Sequence, residues 1–143
     1  EHPKVLLGLK KVGFGAGRWN GFGGKVEEGE AIEAAAHREL KEEAGISVES
    51  LEPVGLLNFK FVGKPDTLQV HLFKGRGLKG DPIETEEMSP QWFEVEKIPF
   101  DQMWEDDRHW FPLFLADQKF TGDVLFDSSD KIVDMSLTPN KHS

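Results

Sequence analysis

The sequence has no cysteine. That excludes disulfides, thiol nucleophiles and cysteine-based metal or redox centres at once. It has no apolar run near 18 residues, so no membrane-spanning helix is expected. No signal-like segment opens it and no N-x-[ST] sequon occurs, which makes an intracellular setting the default expectation. Basic residues are scarce: 17 Lys and Arg stand against 26 Asp and Glu, for a formal charge of -9. Binding to the backbone of polymeric nucleic acid needs a basic face and is not expected. An acidic protein that handles phosphates has to recruit cations.

What is present suits one folded domain. The chain has 143 residues, of which 38% are apolar and 30% charged. That is too apolar for a disordered chain. A chain of this size buries about 68–70% of the surface its unfolded form exposes, enough for a core without cross-links. Glu1 stands first where Met would, close to Pro3, so the start reads as trimmed or processed. The polar residues 138–143 read as a loose tail.

Local patterns give a coarse map. Val5–Leu9 is a β-type run, and Val54–Val62 and Gln91–Glu94 read as further strands. Leu68, Val70 and Leu72 alternate with polar residues, the signature of a half-buried strand. Lys64-Pro65-Asp66 reads as a turn and Gly75–Pro82 as a loop. Glu30–Ala44 is the clearest helix, with Gly45 as its stop. Phe111–Gln118 is a second helix with Pro112 in its first turn. Asp123–Phe126 and Lys131–Leu137 flank a polar turn and read as a terminal hairpin. Strands outnumber helices, so the expected class is α+β, a sheet packed against helices.

Two stretches carry chemistry. Residues 10–24 hold six glycines, which either let backbone approach a ligand or mark a turn-rich connection. In Arg38-Glu39-Leu40-Lys41-Glu42-Glu43-Ala44-Gly45, three carboxylates fall within about 100° of one helix edge. The stripe Ile32, Ala36, Leu40, Ala44 lies beside them and is expected to dock on the core. Like charges at this spacing repel, and more so when buried. A hard divalent cation resolves the repulsion; a solvated acidic face is the bland alternative. Arg38 either braces the helix edge through a carboxylate or makes a simple i,i+4 pair with Glu42.

The spacing around these residues is more specific. Gly24, Glu30, Arg38-Glu39, Leu40, Glu42-Glu43, Gly45 and Ile46 fit G-x5-E-x7-R-E-U-x-E-E-x-G-U, with U a bulky aliphatic residue. Nine defined positions over 23 residues resemble the box of the Nudix hydrolases. The resemblance implies one Nudix domain over 1–143, a mixed sheet sandwiched between helices, with a first strand ahead of Lys4 that this sequence lacks. It implies Mg²⁺, with Mn²⁺ as a substitute, held by Glu39, Glu42, Glu43, the Gly23 carbonyl and Glu87. Glu43, Glu39 and Arg38 are the implied catalytic residues, with the general base either Glu43 or Glu39. Glu30 reads as structural.

Residues 13–26, 99–107 and 110–113 further resemble the Nudix branch that hydrolyses oxidised purine nucleoside triphosphates. That resemblance implies conversion of 8-oxo-dGTP and 2-oxo-dATP to monophosphate and pyrophosphate, by attack of water on the β-phosphorus. The implied role is sanitation of the nucleotide pool before DNA synthesis. The implied substrate contacts are Lys10, Phe14, Asn20, Phe22, Gly23, Gly24, Lys25, Phe59, Leu68, Trp104, Glu105, Asp106 and Asp107. The residue types suit a base: Trp104 and Phe14 offer stacking faces, and Asn20 offers both donor and acceptor. Asp106 and Asp107 can stay protonated in an apolar setting and donate, or else form a helix N-cap. A monomer in the cytoplasm, serving also nuclear and mitochondrial pools, is implied, with neither membrane nor polymeric nucleic acid as partner. Two rivals remain open: a Nudix hydrolase of another nucleoside diphosphate-linked substrate, and a nucleotide-binding module without activity.

Overall fold

The computed structural model describes residues 4–13, 16–22 and 29–140. Their order is β1 (Lys4–Lys10), β2 (Trp19–Asn20), α1 (Ile32–Ala44), β3 (Ser47–Phe61), β4 (Thr67–Lys79), β5 (Met88–Glu94), α2 (Asp107–Leu115), β6 (Phe120–Phe126) and β7 (Ile132–Pro139). Single 3-10 turns at Val95–Lys97 and Phe100–Gln102 link β5 to α2. The strands form two sheets, ordered β2-β1-β5 and β4-β3-β6-β7. By residue contacts the chain divides into two compact units, 1–51 with 75–104 and 52–74 with 105–143.

In the first unit β1 pairs antiparallel with β2 and with β5, in register from Lys4 opposite Glu94 to Lys10 opposite Met88. Leu7 and Met88 are buried in its core. α1 ends at Gly45, whose φ of 70° is the left-handed conformation that glycine adopts without Cβ strain. A Cβ there would also lie 2.6 Å from Cγ1 of Ile83. The N–H of Ile83 donates to the Ala44 carbonyl at 2.9 Å, so residues 83–87 lead off the end of the helix.

In the second unit β3 runs parallel to β6, and β6 antiparallel to β7. Phe120, Gly122, Val124 and Phe126 alternate inward along β6 while Thr121 and Asp123 face out. Trp110 and Phe111 of α2 stack at 4.7 Å, and Trp110 lies 5.9 Å from Phe120. Gly55 makes room for that packing, because a Cβ would sit 2.6 Å from the Phe120 ring. Lys74 closes the far end of α2, with Nζ donating to the Phe114 carbonyl at 3.1 Å and to Asp117 at 2.6 Å.

The mixed strand pairing and two helices agree with an α+β class. Several boundaries differ from the sequence expectation. β3 starts at Ser47 instead of Val54, because ladder pairing does not require apolar side chains at Glu49, Ser50 or Glu52. β4 continues through Gly75–Lys79, where a loop was expected. Gly77 has φ 72°, and a Cβ on it would meet Glu49 at 2.7 Å, so the glycine serves close strand approach there. α2 begins at Asp107, which puts Pro112 at its sixth residue and removes one internal hydrogen bond. Residues 138–140 are no loose tail: Thr138 and Pro139 pair with β6, and the N–H of Asn140 donates to the Lys119 carbonyl at 2.8 Å.

The expected docking stripe of α1 is also corrected. Ile32 is exposed, while Ala36 and Leu40 are only half-buried. Ala35, Glu43 and Ala44 are the buried residues of this helix. The helix is rotated so that part of its carboxylate edge faces inward.

Candidate active site

That rotation makes a cluster. Glu39 and Glu43 lie one turn apart on α1, and Glu87 comes from the turn before β5. One carboxylate oxygen from each lies within 4.8 Å of the others. Glu43 is 1% exposed, an unusual position for a carboxylate. Burial pushes the Glu39 carboxyl above its ordinary value. The Arg38 guanidinium opposes that shift, whereas Glu42 and Glu87 add to it. Three hard oxygen donors crowded at this range fit a hard divalent cation.

Arg38 shapes the outer edge. Nε and Nη2 donate to the two oxygens of Glu30 at 2.8 and 3.1 Å, a bidentate grip. Nη1 donates to Glu39 at 2.6 Å and to Glu42 at 3.0 Å. Both alternatives for Arg38 are therefore realised together. Glu42 is grouped with Arg38, outside the Glu39–Glu43–Glu87 cluster. Glu30 holds the arginine from the residues ahead of the helix.

The remaining predicted residues belong to both units. Phe14, Gly23, Gly24 and Lys25 lie outside the described residues. In the first unit, Lys10 ends β1, and its N–H donates to the Arg18 carbonyl at 3.0 Å. The Asn20 amide donates to the same carbonyl at 2.9 Å. Phe22 packs on β1, where a Cβ on Gly8 would meet its ring at 2.9 Å. The Arg18 guanidinium lies 4.3 Å from the Trp104 ring centre, a cation–π contact that covers one indole face.

In the second unit, Phe59 packs edge-on against Phe126 at 5.5 Å and Leu68 is exposed. Glu105 accepts from the Ile132 N–H at 2.8 Å and pairs with Lys131 at 3.6 Å, which ties it to the terminal hairpin. Asp106 and Asp107 are both buried. Asp106 occupies the N-cap position of α2 without capping it. Its Oδ2 instead accepts from Trp110 Nε1 at 2.8 Å, and its Oδ1 has no hydrogen-bond partner among the described residues. Burial pushes this carboxyl up from its ordinary value, against the Trp110 bond.

Sequence reasoning did not single out three residues. Arg18 lies against Trp104. Lys11 pairs with Glu84, and its Nζ donates to the Thr85 carbonyl at 2.9 Å. Thr85 links the Glu87 turn to α1. Its position two residues ahead of Glu87 was a legible signal, since a threonine hydroxyl often bonds backbone N–H groups just downstream.

A family model described as the NUDIX domain matches residues 1–114. The chain belongs to the NUDIX family. This NUDIX protein is 55% identical over 137 residues to the oxidized purine nucleoside triphosphate hydrolase of Mus musculus, covering 96% of this chain and 88% of that one. It is 52% identical over 134 residues to the protein of the same name from Danio rerio, covering 94% and 86%. Among solved structures, the MutT protein of Bacillus halodurans superimposes with a TM-score of 0.85 at 26% identity, covering 95% of this chain and 90% of that one. NUDIX hydrolases use a divalent metal and act on small nucleotide substrates, and the carboxylate cluster is suited to such a metal. No helix among the described residues is long and apolar enough to cross a membrane.

Proposed function

We infer that this NUDIX protein is a hydrolase of oxidised purine nucleoside triphosphates. It yields a nucleoside monophosphate and pyrophosphate, and so keeps oxidised purines out of DNA. The observation that carries this reading is the identity above one half, over nearly the whole chain, with two vertebrate proteins that bear that name.

Glu39, Glu43 and Glu87 would hold Mg²⁺, with Glu42 and the Gly23 carbonyl as the further donors the family pattern implies. A hard cation held there would supply neutralisation of triphosphate charge and easier deprotonation of water. The chain's own residues do the rest. Arg38, gripped by Glu30, keeps Glu39 and Glu42 in place. Glu43, with Glu39 as its neighbour, takes the proton of the attacking water. The oxygen of that water joins the β-phosphorus, and the bond from that phosphorus to the bridging oxygen breaks. The monophosphate then leaves with the bridging oxygen.

Asp106 is assigned to the base edge. Burial favours the protonated form of this carboxyl, and that form can donate to an acceptor and accept from a donor, which suits two oxidised purines of different pattern. Asp107, Asn20 and Trp104 are assigned as further base contacts. We further propose a monomer in the cytoplasm, with the nuclear and mitochondrial pools that the family resemblance implies.

A substrate panel tests the assignment. With Mg²⁺, kcat/KM for 8-oxo-dGTP and 2-oxo-dATP should exceed that for dGTP, dATP and ADP-ribose. A higher value for ADP-ribose overturns it. In ¹⁸O water the label should appear in pyrophosphate; label in the monophosphate would move the attack to the α-phosphorus.

A further inference from the structure

The side chain of Thr85 fastens the turn bearing Glu87 to the helix bearing Glu43. Thr85 is half-buried in that turn. Its hydroxyl donates to the Glu43 carbonyl at 2.9 Å. The same oxygen accepts from the N–H of Glu87 at 3.3 Å and of Met88 at 3.2 Å. One donor and two lone pairs are all that a hydroxyl has, and all three serve this junction. The carbonyls in a helix's last turn lack partners within the helix. Residues 83–88 take over two of them, through Thr85 to Glu43 and through the Ile83 N–H to Ala44 at 2.9 Å. Lys11 braces the other side, its N–H donating to the Glu87 carbonyl at 2.8 Å.

The two ends of this link differ. Glu43 is fixed by its helix and by burial, while Glu87 is an exposed residue on a short turn. A carboxylate on a free turn would have to be ordered each time a cation bound, at a cost in conformational entropy. We propose that Thr85 is a positioning residue whose hydroxyl sets the Glu87 carboxylate against Glu43, so that both meet one divalent cation. This rests on Glu39, Glu43 and Glu87 being the metal ligands.

Mn²⁺ binding without nucleotide, followed by the electron paramagnetic resonance of the free ion, is the direct test. Kinetics on 8-oxo-dGTP with Mg²⁺ accompany it. Thr85→Val keeps the shape and removes the hydroxyl. Loss of an outer partner of a metal ligand typically costs roughly 10–100-fold in affinity or activity. Mn²⁺ affinity and kcat at fixed Mg²⁺ should both fall by about that factor, with KM for nucleotide within about twofold. Thr85→Ser should restore both. In a Glu87→Gln background, adding Thr85→Val should weaken Mn²⁺ no further, because the hydroxyl acts through Glu87. A Thr85→Val protein that melts earlier but binds Mn²⁺ like wild type overturns the proposal and leaves a turn-stabilising role. Should Thr85→Val not fold, the serine variant still decides, since weaker Mn²⁺ binding with the hydroxyl retained overturns the proposal too. Wild-type protein that binds no Mn²⁺ is a different failure, that of the ligand assignment.

Discussion

Arg38 grips Glu30 with two nitrogens, Nε and Nη2, at 2.8 and 3.1 Å. That geometry leaves Nη1 to reach Glu39 and Glu42 on its own helix. A planar guanidinium can serve three carboxylates in this way, and an ammonium cannot. Arg38→Lys should therefore lower kcat/KM by roughly 10–100-fold, the range seen when a partner of a metal ligand is lost. Glu30→Gln should act in the same direction and more weakly, since the amide oxygen still accepts one hydrogen bond. Steady-state kinetics at saturating Mg²⁺ check both, and an Arg38→Lys enzyme with unchanged kcat/KM would remove Arg38 from the site.

Gly45 and Ile83 meet where the helix ends and the Glu87 turn begins. Gly45→Ala faces two penalties there. The left-handed conformation costs a residue with a Cβ about 1–2 kcal/mol. The added Cβ would also sit 2.6 Å from Ile83 Cγ1, so the turn has to move. Chemical denaturation should show a loss of at least that size. Ile83→Ala alone removes the obstacle, and the double variant Gly45→Ala/Ile83→Ala should recover the part due to the clash. A Gly45→Ala protein as stable as wild type would refute the account of this cap.

The family and the carboxylate helix were legible because both rest on fixed spacing, from Gly24 to Ile46. Which face of that helix turns inward was not. A wheel ranks residues by polarity and so buries Ile32 and Leu40; the protein buries Glu43. Polarity patterns cannot anticipate that, because a buried carboxylate is tolerated only where chemistry or a partner rewards it. The loop expected at Gly75–Pro82 failed for a related reason. Gly75 and Gly77 look like turn residues, yet they stand in β4 where it comes close to Val48 and Glu49 of β3. Thr85 escaped notice because its contacts join residues 42 positions apart in sequence.

Asp106 makes stability depend on pH. Its native carboxyl is raised by burial above the ordinary value of 3.8. The native state therefore keeps this proton at pH values where the unfolded chain has released it. Its contribution to stability is fully present below 3.8 and is lost as pH rises through the native value. The slope in that window is at most about 1.4 kcal/mol per pH unit. Asp106→Asn mimics the protonated form, with its amide oxygen free to accept from Trp110. It should flatten that slope and leave the variant more stable than wild type above the window. Urea midpoints from pH 3 to 8, on wild type and variant in parallel, check the sign. A wild type that gains stability across the same window because of this residue would contradict the assignment.

Glu43 is the strictest test of the cation. With no divalent ion bound, the buried carboxylate of Glu43 lies close to those of Glu39 and Glu87, and like charges at short range oppose folding. Glu43→Gln relieves that repulsion. In EDTA its melting temperature should equal or exceed that of wild type. Added Mg²⁺ should raise the wild-type midpoint, because a ligand that binds only the native state stabilises it. The variant's midpoint should rise much less. Its kcat should fall by about 10²–10⁴-fold, the range for loss of a general base. Activity thus falls with no loss of melting temperature in EDTA, which a merely structural glutamate would not produce. A variant that melts lower in EDTA, or keeps its activity, would mean that Glu43 is held there by folding and not by the cation.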